Sequence, residues 1–344
     1  MPRLDAEQLR SAFRQVLTSL DVAPASVDDV VGSLVQTSLR GVDSHGIELF
    51  PHYVRAVRAG RVSAQPKLEF EQTGPSTAVL EADHAFGHHA GAVAIDRAIE
   101  IAQQAGTSAV SVRNSTHFGA AAYFALRAAD LGLLGFAFTN ADALMKAPGA
   151  QSAFLGTNPV CFTAPLANEE PLCLDMATSL VSWNKVKGRR VSGDALGGDW
   201  AFGADGAPTT DAAAARTLNP AGGYKGHGLS LMVEILCGAL AGGPMATELL
   251  PMFTAPIESK RRISHFFMAI DVARFIDRAV FRERLQRLVD ALRAMPQLDG
   301  RVMAPGDVEK ETFAARSAAG IPISDAQLSA LVEAGVDVGS AIAS

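Results

Sequence analysis

SVRNSTHFGAAAYFALRAA, residues 111–129, contains the transition on which the fold assignment depends. It begins as a β-type run, continues through a polar loop and ends in an alanine-rich helix that we expect to begin near Gly119. A strand, a loop and a helix in this order leave free backbone N–H groups at the start of the helix, which is a favourable position for an anion. Close backbone packing would account for the same small residues, so both interpretations remain open here.

Further β-type runs lie on both sides of this stretch, and helices separate some of them. The runs are TAVLEA, LLGFAFT, PVCFTAP, PLCLDM and HFFMAID, and the clearest intervening helix is AGAVAIDRAIEIAQQAG. The two chain ends instead show helical spacing, and Asp5 is placed to cap the first helix. We therefore predict an α+β fold in which an α+β domain, residues 66–272, is inserted in a helical unit built from residues 1–65 and 273–344.

Composition excludes several classes of protein. The chain is 48% hydrophobic and 19% charged, so it can bury large cores. Its formal charge of −6 provides no basic surface for nucleic acid. No apolar run is long enough to span a membrane, and the first residues lack the apolar core of a signal peptide. Three cysteines without CxxC spacing indicate buried free thiols, and a cytoplasmic protein fits these features.

A second stretch that could bind phosphate is GGYKGHGLSLMVEILCGAL, residues 222–240. Its glycines would let a ligand approach the backbone, Lys225 supplies a positive charge, and an apolar helix follows. Neither G-x-G-x-x-G after a strand nor G-x-x-x-x-G-K-[ST] occurs in the chain. If the protein binds a dinucleotide, it does so without the Rossmann sequence signature.

GVDSHGIELF, residues 41–50, places Ser44 and His45 side by side in the joint between two predicted helices. Histidine titrates near neutral pH, which suits it to proton transfer. A structural histidine with satisfied hydrogen bonds is the alternative. A serine hydrolase is disfavoured, because no G-x-S-x-G turn is present and neighbours in sequence rarely face each other as a catalytic triad requires.

The group His84, His88 and His89 suggests a metal site, and with it a metal-dependent lyase or hydrolase. Gly87 argues against one continuous helix that would align His84 with His88, and no partner carboxylate set is evident. We therefore predict no metal site.

Taken together, these motifs resemble the malate/L-lactate dehydrogenase family, which lies outside the Rossmann superfamily and includes diketogulonate reductase, ureidoglycolate dehydrogenase, sulfolactate dehydrogenase and piperideine-2-carboxylate reductase. The resemblance covers nearly the whole chain. It is carried by GVDSHG, NSTHFGAAAYF, LGTNPVCFTAP, LDMATS, GAPTTD, GGYKGHGLSLMVEILCGAL, HFFMAID and APGDVEKE.

The resemblance implies a homodimeric NAD(P)-dependent oxidoreductase with a non-Rossmann α+β cofactor domain. Hydride would pass between NAD or NADP and a carbonyl or imine carbon beside a carboxylate. His45 would donate the proton with Ser44 in support, Lys185 would belong to the catalytic set, and Thr157 would contact the substrate. The implied cofactor-binding residues are His117, Phe118, Gly119, Ala120, Ala121, Asp175, Met176, Ala177, Lys225, Gly226 and Gly306.

Two positions bear on the substrate. Family members commonly carry an arginine where this chain has Leu49, and that arginine grips the substrate carboxylate in a bidentate manner. Imine-reducing members tend to have an aspartate where this chain has Lys185, which favours 2-oxo acid/2-hydroxy acid chemistry. A reductase of cyclic imino acids and a catalytically silent cofactor-binding homologue remain the alternatives.

Arg189 and Arg190 are candidates for binding a 2′-phosphate, so the choice between NAD and NADP stays open.

Overall fold

The computed structural model describes residues 2–339, and helices dominate both ends of the chain. Asp5 caps the first helix as predicted, because its carboxylate accepts hydrogen bonds from the backbone N–H groups of Glu7 and Gln8. The α-helices are α1 Ala6–Ser19, α2 Pro24–Leu39, α3 Phe50–Arg58, α4 Gly87–Ala105, α5 Ala122–Asp130, α6 Trp183–Ser192, α7 Tyr224–Glu234, α8 Arg278–Arg293, α9 Asp307–Ala319 and α10 Asp325–Glu333.

The strands lie mainly between α3 and α8. They are β1 Arg3–Leu4, β2 Glu69–Gln72, β3 Thr77–Glu81, β4 Thr107–Ser115, β5 Leu133–Thr139, β6 Met145–Lys146, β7 Ala153–Leu155, β8 Val160–Ala164, β9 Leu172–Met176, β10 Ala201–Phe202, β11 Pro208–Thr209, β12 Thr217–Leu218, β13 Ile263–Asp271 and β14 Ile321–Pro322. Each β-type run named from the sequence forms a strand, which confirms those predictions.

The central sheet has seven strands in the order β2-β3-β4-β13-β5-β8-β9. Neighbouring strands are antiparallel except β3 and β4, which are parallel. Helices α4 and α5 bury their apolar faces in the core of this sheet, where Phe124 and Phe267 meet edge to face at 5.5 Å. The chain therefore has a mixed α/β fold whose main sheet is mostly antiparallel.

The helix after β4 starts later than predicted. The sequence places its start near Gly119, but α5 begins at Ala122. Gly119 has a φ of +79°, which is outside the helical region and is accessible to glycine at little cost. Residues 116–120 have no regular secondary structure, so the chain between β4 and α5 is a loop and not the first turn of the helix.

The two ends of the chain pack together. The antiparallel pair β1–β14 joins them, and residues of α1, α2, α3 and α10 share one hydrophobic core, in which Phe13 stacks on Phe50 at 3.7 Å. Helix α8 differs, because its buried Val289 packs with Leu166 and Leu172 beside the central sheet. The domain boundaries at 65/66 and 272/273 remain a prediction.

A small second sheet was not predicted. Its order is β11-β10-β12-β6-β7, and its core includes Val186 of α6 and Leu218. Several of its strands have only two residues, so they lack the alternating pattern by which a strand is recognised. Part of it falls in residues 195–215, which read as a loop in the sequence. The predicted buried free thiols are confirmed at Cys161, Cys173 and Cys237.

Candidate active site

The turn that carries His45 is held firmly between α2 and α9. Residues 43–45 and 47–49 form two short 3-10 turns, and Gly46 joins them. A side chain at Gly46 would overlap Ser38 Oγ, so the turn lies directly on α2. Ser38 Oγ accepts a hydrogen bond from Ile47 N at 3.0 Å, and Arg316 Nη1 donates to Asp43 Oδ1 at 2.7 Å. These contacts fix the backbone from which His45 projects.

His45 is half-buried and is bonded to its neighbour. Its Nδ1 lies 3.0 Å from Ser44 Oγ, so the hydroxyl orients the ring. Burial lowers the pKa of His45 from 6.5, because the charged form loses solvation. The lowered pKa makes protonated His45 a stronger acid. It also keeps most of the imidazole neutral at pH 7, and the neutral ring can accept a proton from a bound hydroxyl group.

His117 faces His45, with ring centroids 5.8 Å apart. Its Nδ1 lies 2.7 Å from Tyr53 Oη and 3.4 Å from the backbone N of Gly119. Because the Gly119 N–H can only donate, Nδ1 is an acceptor, and a neutral His117 carries its proton on Nε2. Burial, followed by the nearby charge of His45, lowers the pKa of His117 well below its usual value. Tyr53 was not identified from the sequence, since its role depends on a contact 64 positions along the chain.

Most of the predicted site residues surround one cavity of about 790 Å³. This volume falls in the usual range for small-molecule and cofactor sites. The predicted residues that line it are Ser44, His45, Leu49, His117, Gly119, Ala120, Ala121, Thr157, Asp175, Met176, Ala177 and Gly306. Tertiary structure therefore brings the proton-transfer motif and most of the cofactor motifs to a single place.

Two glycines allow the backbone to enclose this cavity closely. A Cβ at Gly119 would lie 2.9 Å from His88 Nε2, and one at Gly306 would lie 3.1 Å from the carbonyl oxygen of Cys173. Both have positive φ, +79° and +94°. A larger residue at either place would strain the backbone and displace the wall of the cavity.

Asp175 connects the end of β9 to the start of α5. Its carboxylate accepts a hydrogen bond from Ala122 N at 2.8 Å. Although the carboxylate opens into the cavity and is accessible there, protein atoms surround it on the other sides, and this desolvation raises its pKa to about 6. Glu309 nearby adds to the rise. An acid at this position is suited to accept hydrogen bonds from hydroxyl groups of a bound ligand.

Three of the predicted cofactor residues do not line the cavity. Phe118 is buried between the rings of Phe124 and His265, at 4.9 and 4.7 Å, because its side chain points into the core of the sheet. Lys225 is exposed in the first turn of α7. Gly226 is buried, and a Cβ there would lie 2.7 Å from Ala221 N, so close backbone packing explains this glycine.

Lys185 also lies outside the cavity. Ser182 caps α6 by accepting from Lys185 N, and this sets the phase of the helix. Lys185 consequently points away, with Nζ 4.6 Å from the centre of the Trp200 ring. Asn184 and Lys187, three residues apart on the same helix face, line the cavity instead. The spacing of Asn184 and Lys187 from the helix cap Ser182 is the sequence signal that could have identified these two residues.

The loop after α7 supplies a wall that the sequence did not reveal. Met252 and Phe253 line the cavity, and the Phe253 ring lies 5.3 Å from the ring of His52. They follow Pro251 in a segment without regular secondary structure, so no local pattern marks them.

The histidine group does not form a metal site. His89 Nδ1 pairs with Asp29 Oδ2 at 2.7 Å, whereas His88 is fully buried beside Tyr53, with ring centroids 4.8 Å apart. Within residues 2–339 no three His, Cys, Asp or Glu side chains are grouped as a metal site requires.

In the same part of the chain, no helix has the length and apolarity needed to cross a membrane.

Comparison with known proteins agrees with the motifs. The family model for malate/L-lactate dehydrogenase matches residues 4–332. The chain is 34% identical over 334 residues to a malate dehydrogenase of Pyrococcus abyssi, covering 93% of this chain and 91% of that protein. It is 32% identical to a ureidoglycolate dehydrogenase (NAD(+)) of Escherichia coli over 306 residues, 88% of this chain and 87% of the other.

A solved structure extends the likeness to the fold. The malate dehydrogenase of Entamoeba histolytica superposes with a TM-score of 0.91 at 28% identity, covering 97% of this chain and 98% of that one. The family match thus extends over almost the whole length, and the fold agrees with it. The chain belongs to the malate/L-lactate dehydrogenase family and is an NAD(P)-dependent oxidoreductase.

Proposed function

We propose that the protein transfers hydride between NAD(P) and a 2-oxo acid/2-hydroxy acid pair, with His45 as the proton donor to the substrate oxygen. The observation that carries this proposal is that His45 lines the same cavity as residues of the family's cofactor motifs, His117, Gly119–Ala121 and Asp175–Ala177. A dinucleotide cofactor supplies the hydride when it is bound. The chain supplies a proton at the oxygen, which prevents an unstabilised alkoxide and is worth roughly 10²- to 10⁴-fold in rate.

Ser44 orients the His45 ring, and His117 supplies a second hydrogen-bond donor beside it. Ser44 Oγ lies 3.0 Å from His45 Nδ1, so Nε2 remains for the substrate. His117, held at Nδ1 by Tyr53, presents Nε2–H as a second donor within the same cavity. In the reverse direction, neutral His45 removes the hydroxyl proton from the substrate. We assign His45 as the group that exchanges the proton because the Gly119 N–H and Tyr53 hold His117 with its proton on Nε2, whereas the Ser44 hydroxyl can donate to or accept from His45 Nδ1 and tolerates both protonation states.

The chain's own residues fit a dinucleotide. The backbone N–H groups of Ala120 and Ala121 precede α5 and can donate to a phosphate, and Gly306 lines the same cavity. Asp175 can accept hydrogen bonds from ribose hydroxyls. We infer that this cofactor site is of non-Rossmann type, inserted in a helical unit made from both chain ends. The mostly antiparallel central sheet supports that inference.

We also propose that the protein is a homodimer. Helix α7 and the π-helical turn after it expose a run of apolar side chains, which include Leu229, Leu231, Met232, Ile235 and Leu240 at 41%, 42%, 39%, 53% and 61% exposure. Contiguous exposed apolar surface of this kind indicates a protein contact. Sedimentation equilibrium should give twice the chain mass, and Ile235→Lys should shift it toward the monomer. A wild-type monomer at micromolar concentration would contradict the proposal.

A cytoplasmic location is proposed on the three free thiols. Fractionation of producing cells tests it, and recovery from an oxidising compartment would contradict it.

The experiment that tests the function is turnover of the purified protein with NADH and NADPH across 2-oxo acids and cyclic imino acids. We expect oxidation of the dinucleotide with 2-oxo acids. Faster turnover of piperideine- or pyrroline-2-carboxylate would assign the protein to the imine-reducing branch. Cofactor binding without turnover on any substrate would indicate the catalytically silent homologue that Leu49 makes conceivable.

A further inference from the structure

We propose that Lys187 binds the substrate carboxylate and takes the place of the arginine that is absent at Leu49. This inference rests on the proposed function and names a specificity-determining residue for it. Lys187 lines the cavity together with His45 and Leu49. The cation therefore comes from α6 rather than from the turn that carries His45.

The position of Lys187 follows from how α6 meets that turn. Asn184 Nδ2 donates to the carbonyl oxygen of Ser44 at 3.4 Å, which joins the first turn of α6 to the backbone beside His45. Lys187 lies three residues further along the same helix face. Lys187 thus lies on the face of α6 that contacts the turn carrying His45, and it lines the cavity there.

Of Arg40, Lys187 and Arg190, which line the cavity, Lys187 is the one whose charged group has neither an ion pair nor a hydrogen bond among residues 2–339. Arg40, which also lines the cavity, pairs with Glu170 at 2.9 Å. Arg190 gives two hydrogen bonds to the Ala212 carbonyl at 3.0 and 2.8 Å. Among residues 2–339, no carboxylate lies within ion-pair distance of the Lys187 ammonium.

Asp142 is the acid whose charge acts on Lys187, but its carboxylate is already paired with Arg261. Its Oδ1 accepts from the Arg261 guanidinium at 2.5 Å, and Arg261 is only 3% exposed. The Lys187 ammonium instead rests on the face of the Phe253 ring, 4.0 Å from its centre. Partial burial lowers the pKa of Lys187, because solvation of the charge is lost without a full replacement. A substrate carboxylate would restore that missing partner.

The surroundings also indicate which acids fit. Leu49, Met252 and Phe253 line the same cavity, and Leu49 and Met252 are nearly covered, at 8% and 7% exposure. One cation beside an apolar wall suits a monocarboxylate with an apolar substituent. A second carboxylate placed against Leu49 would lose solvation without gaining a partner. The structure thus assigns bulky, apolar 2-oxo acids as the preferred class over dicarboxylates.

The test compares Lys187→Met with Lys146→Met. Both substitutions remove a lysine whose ammonium rests on an aromatic ring, 4.0 and 3.9 Å from the ring centre, but Lys146 does not line the cavity. Each variant is assayed with phenylpyruvate, with the neutral amide of the same skeleton, and for NADH affinity by fluorescence. Because hydrogen bonds to charged groups are worth about 1.5–3 kcal/mol, we expect Lys187→Met to weaken binding of phenylpyruvate roughly 10- to 150-fold. The affinities for the amide and for NADH should change little.

Lys146→Met should behave as the wild type, and Lys187→Arg should retain most of the affinity for the acid. Equal affinity of Lys187→Met and Lys146→Met for phenylpyruvate would overturn the inference. If Lys187→Met loses as much affinity for the amide as for the acid, the inference is also overturned, because the lysine then acts through its shape and not through its charge. Calorimetric binding of phenylpyruvate to the NADH complex gives the same comparison without turnover. A wild type that binds the acid through Lys187 but transfers no hydride would therefore refute the proposed activity and leave this inference standing.

Discussion

Replacing Leu49 with arginine tests the substrate side of the cavity most directly. Leu49 is 8% exposed, belongs to the hydrophobic core shared by the chain ends, and also lines the cavity. The introduced guanidinium can form a charge-assisted, bidentate contact with a second carboxylate of the substrate. Such a contact contributes about 1.5–3 kcal/mol, so kcat/KM for oxaloacetate relative to phenylpyruvate should rise roughly 10- to 150-fold.

The same substitution should cost stability. Burial of a leucine side chain contributes about 1.5–3 kcal/mol, and the aliphatic stem of arginine recovers only part of it. We therefore expect Leu49→Arg to unfold at lower denaturant concentration than the wild type. Leu49→Met is the matched control, because it keeps the volume and hydrophobicity without the charge and should leave the substrate ratio unchanged.

The assay is steady-state oxidation of the dinucleotide with both acids at fixed pH, together with urea denaturation of each variant. If Leu49→Arg and Leu49→Met give the same ratio of kcat/KM for oxaloacetate and phenylpyruvate, residue 49 does not face the substrate. The double variant with Lys187→Met adds a check. An arginine that replaces the lysine in function should restore binding of the monocarboxylate in that double variant.

Three further results are expected. His45→Ala should lower turnover by roughly 10²- to 10⁴-fold with nearly unchanged NADH affinity; unchanged turnover would exclude His45 from the chemistry. Because burial lowers the pKa of His45 below 6.5, kcat/KM for oxidation of the hydroxy acid should rise with pH and be level from about pH 7, while kcat/KM for reduction should fall through the same pKa. An oxidation midpoint above 6.5, or a profile that persists in His45→Ala, would contradict this. Lys225 is exposed and does not line the cavity, so Lys225→Ala should leave the Kd of the dinucleotide unchanged. A loss of about 1.5–3 kcal/mol in binding would show that Lys225 does contact the cofactor.

The local elements and the family of oxidoreductases could be predicted from the sequence. Asp5 caps α1 as predicted, and β5 consists of the predicted run LLGFAFT. Both predictions succeed because a helix cap and a β-type run depend on only a few neighbouring residues. The adjacency of Ser44 and His45 identified a candidate proton donor for the same reason. Glycine near the start of α5 was recognised, although its positive φ delays the helix to Ala122.

Tertiary structure alone decided which of these residues share a cavity. Tyr53 reaches His117, and Phe253 reaches Lys187, only because distant segments fold against one another. Helix phase decided between neighbouring lysines, since the cap at Ser182 turns Lys187 inward and leaves Lys185 on Trp200. A motif specifies residue types and spacing along the chain, whereas the direction of each side chain depends on packing against elements far away in sequence.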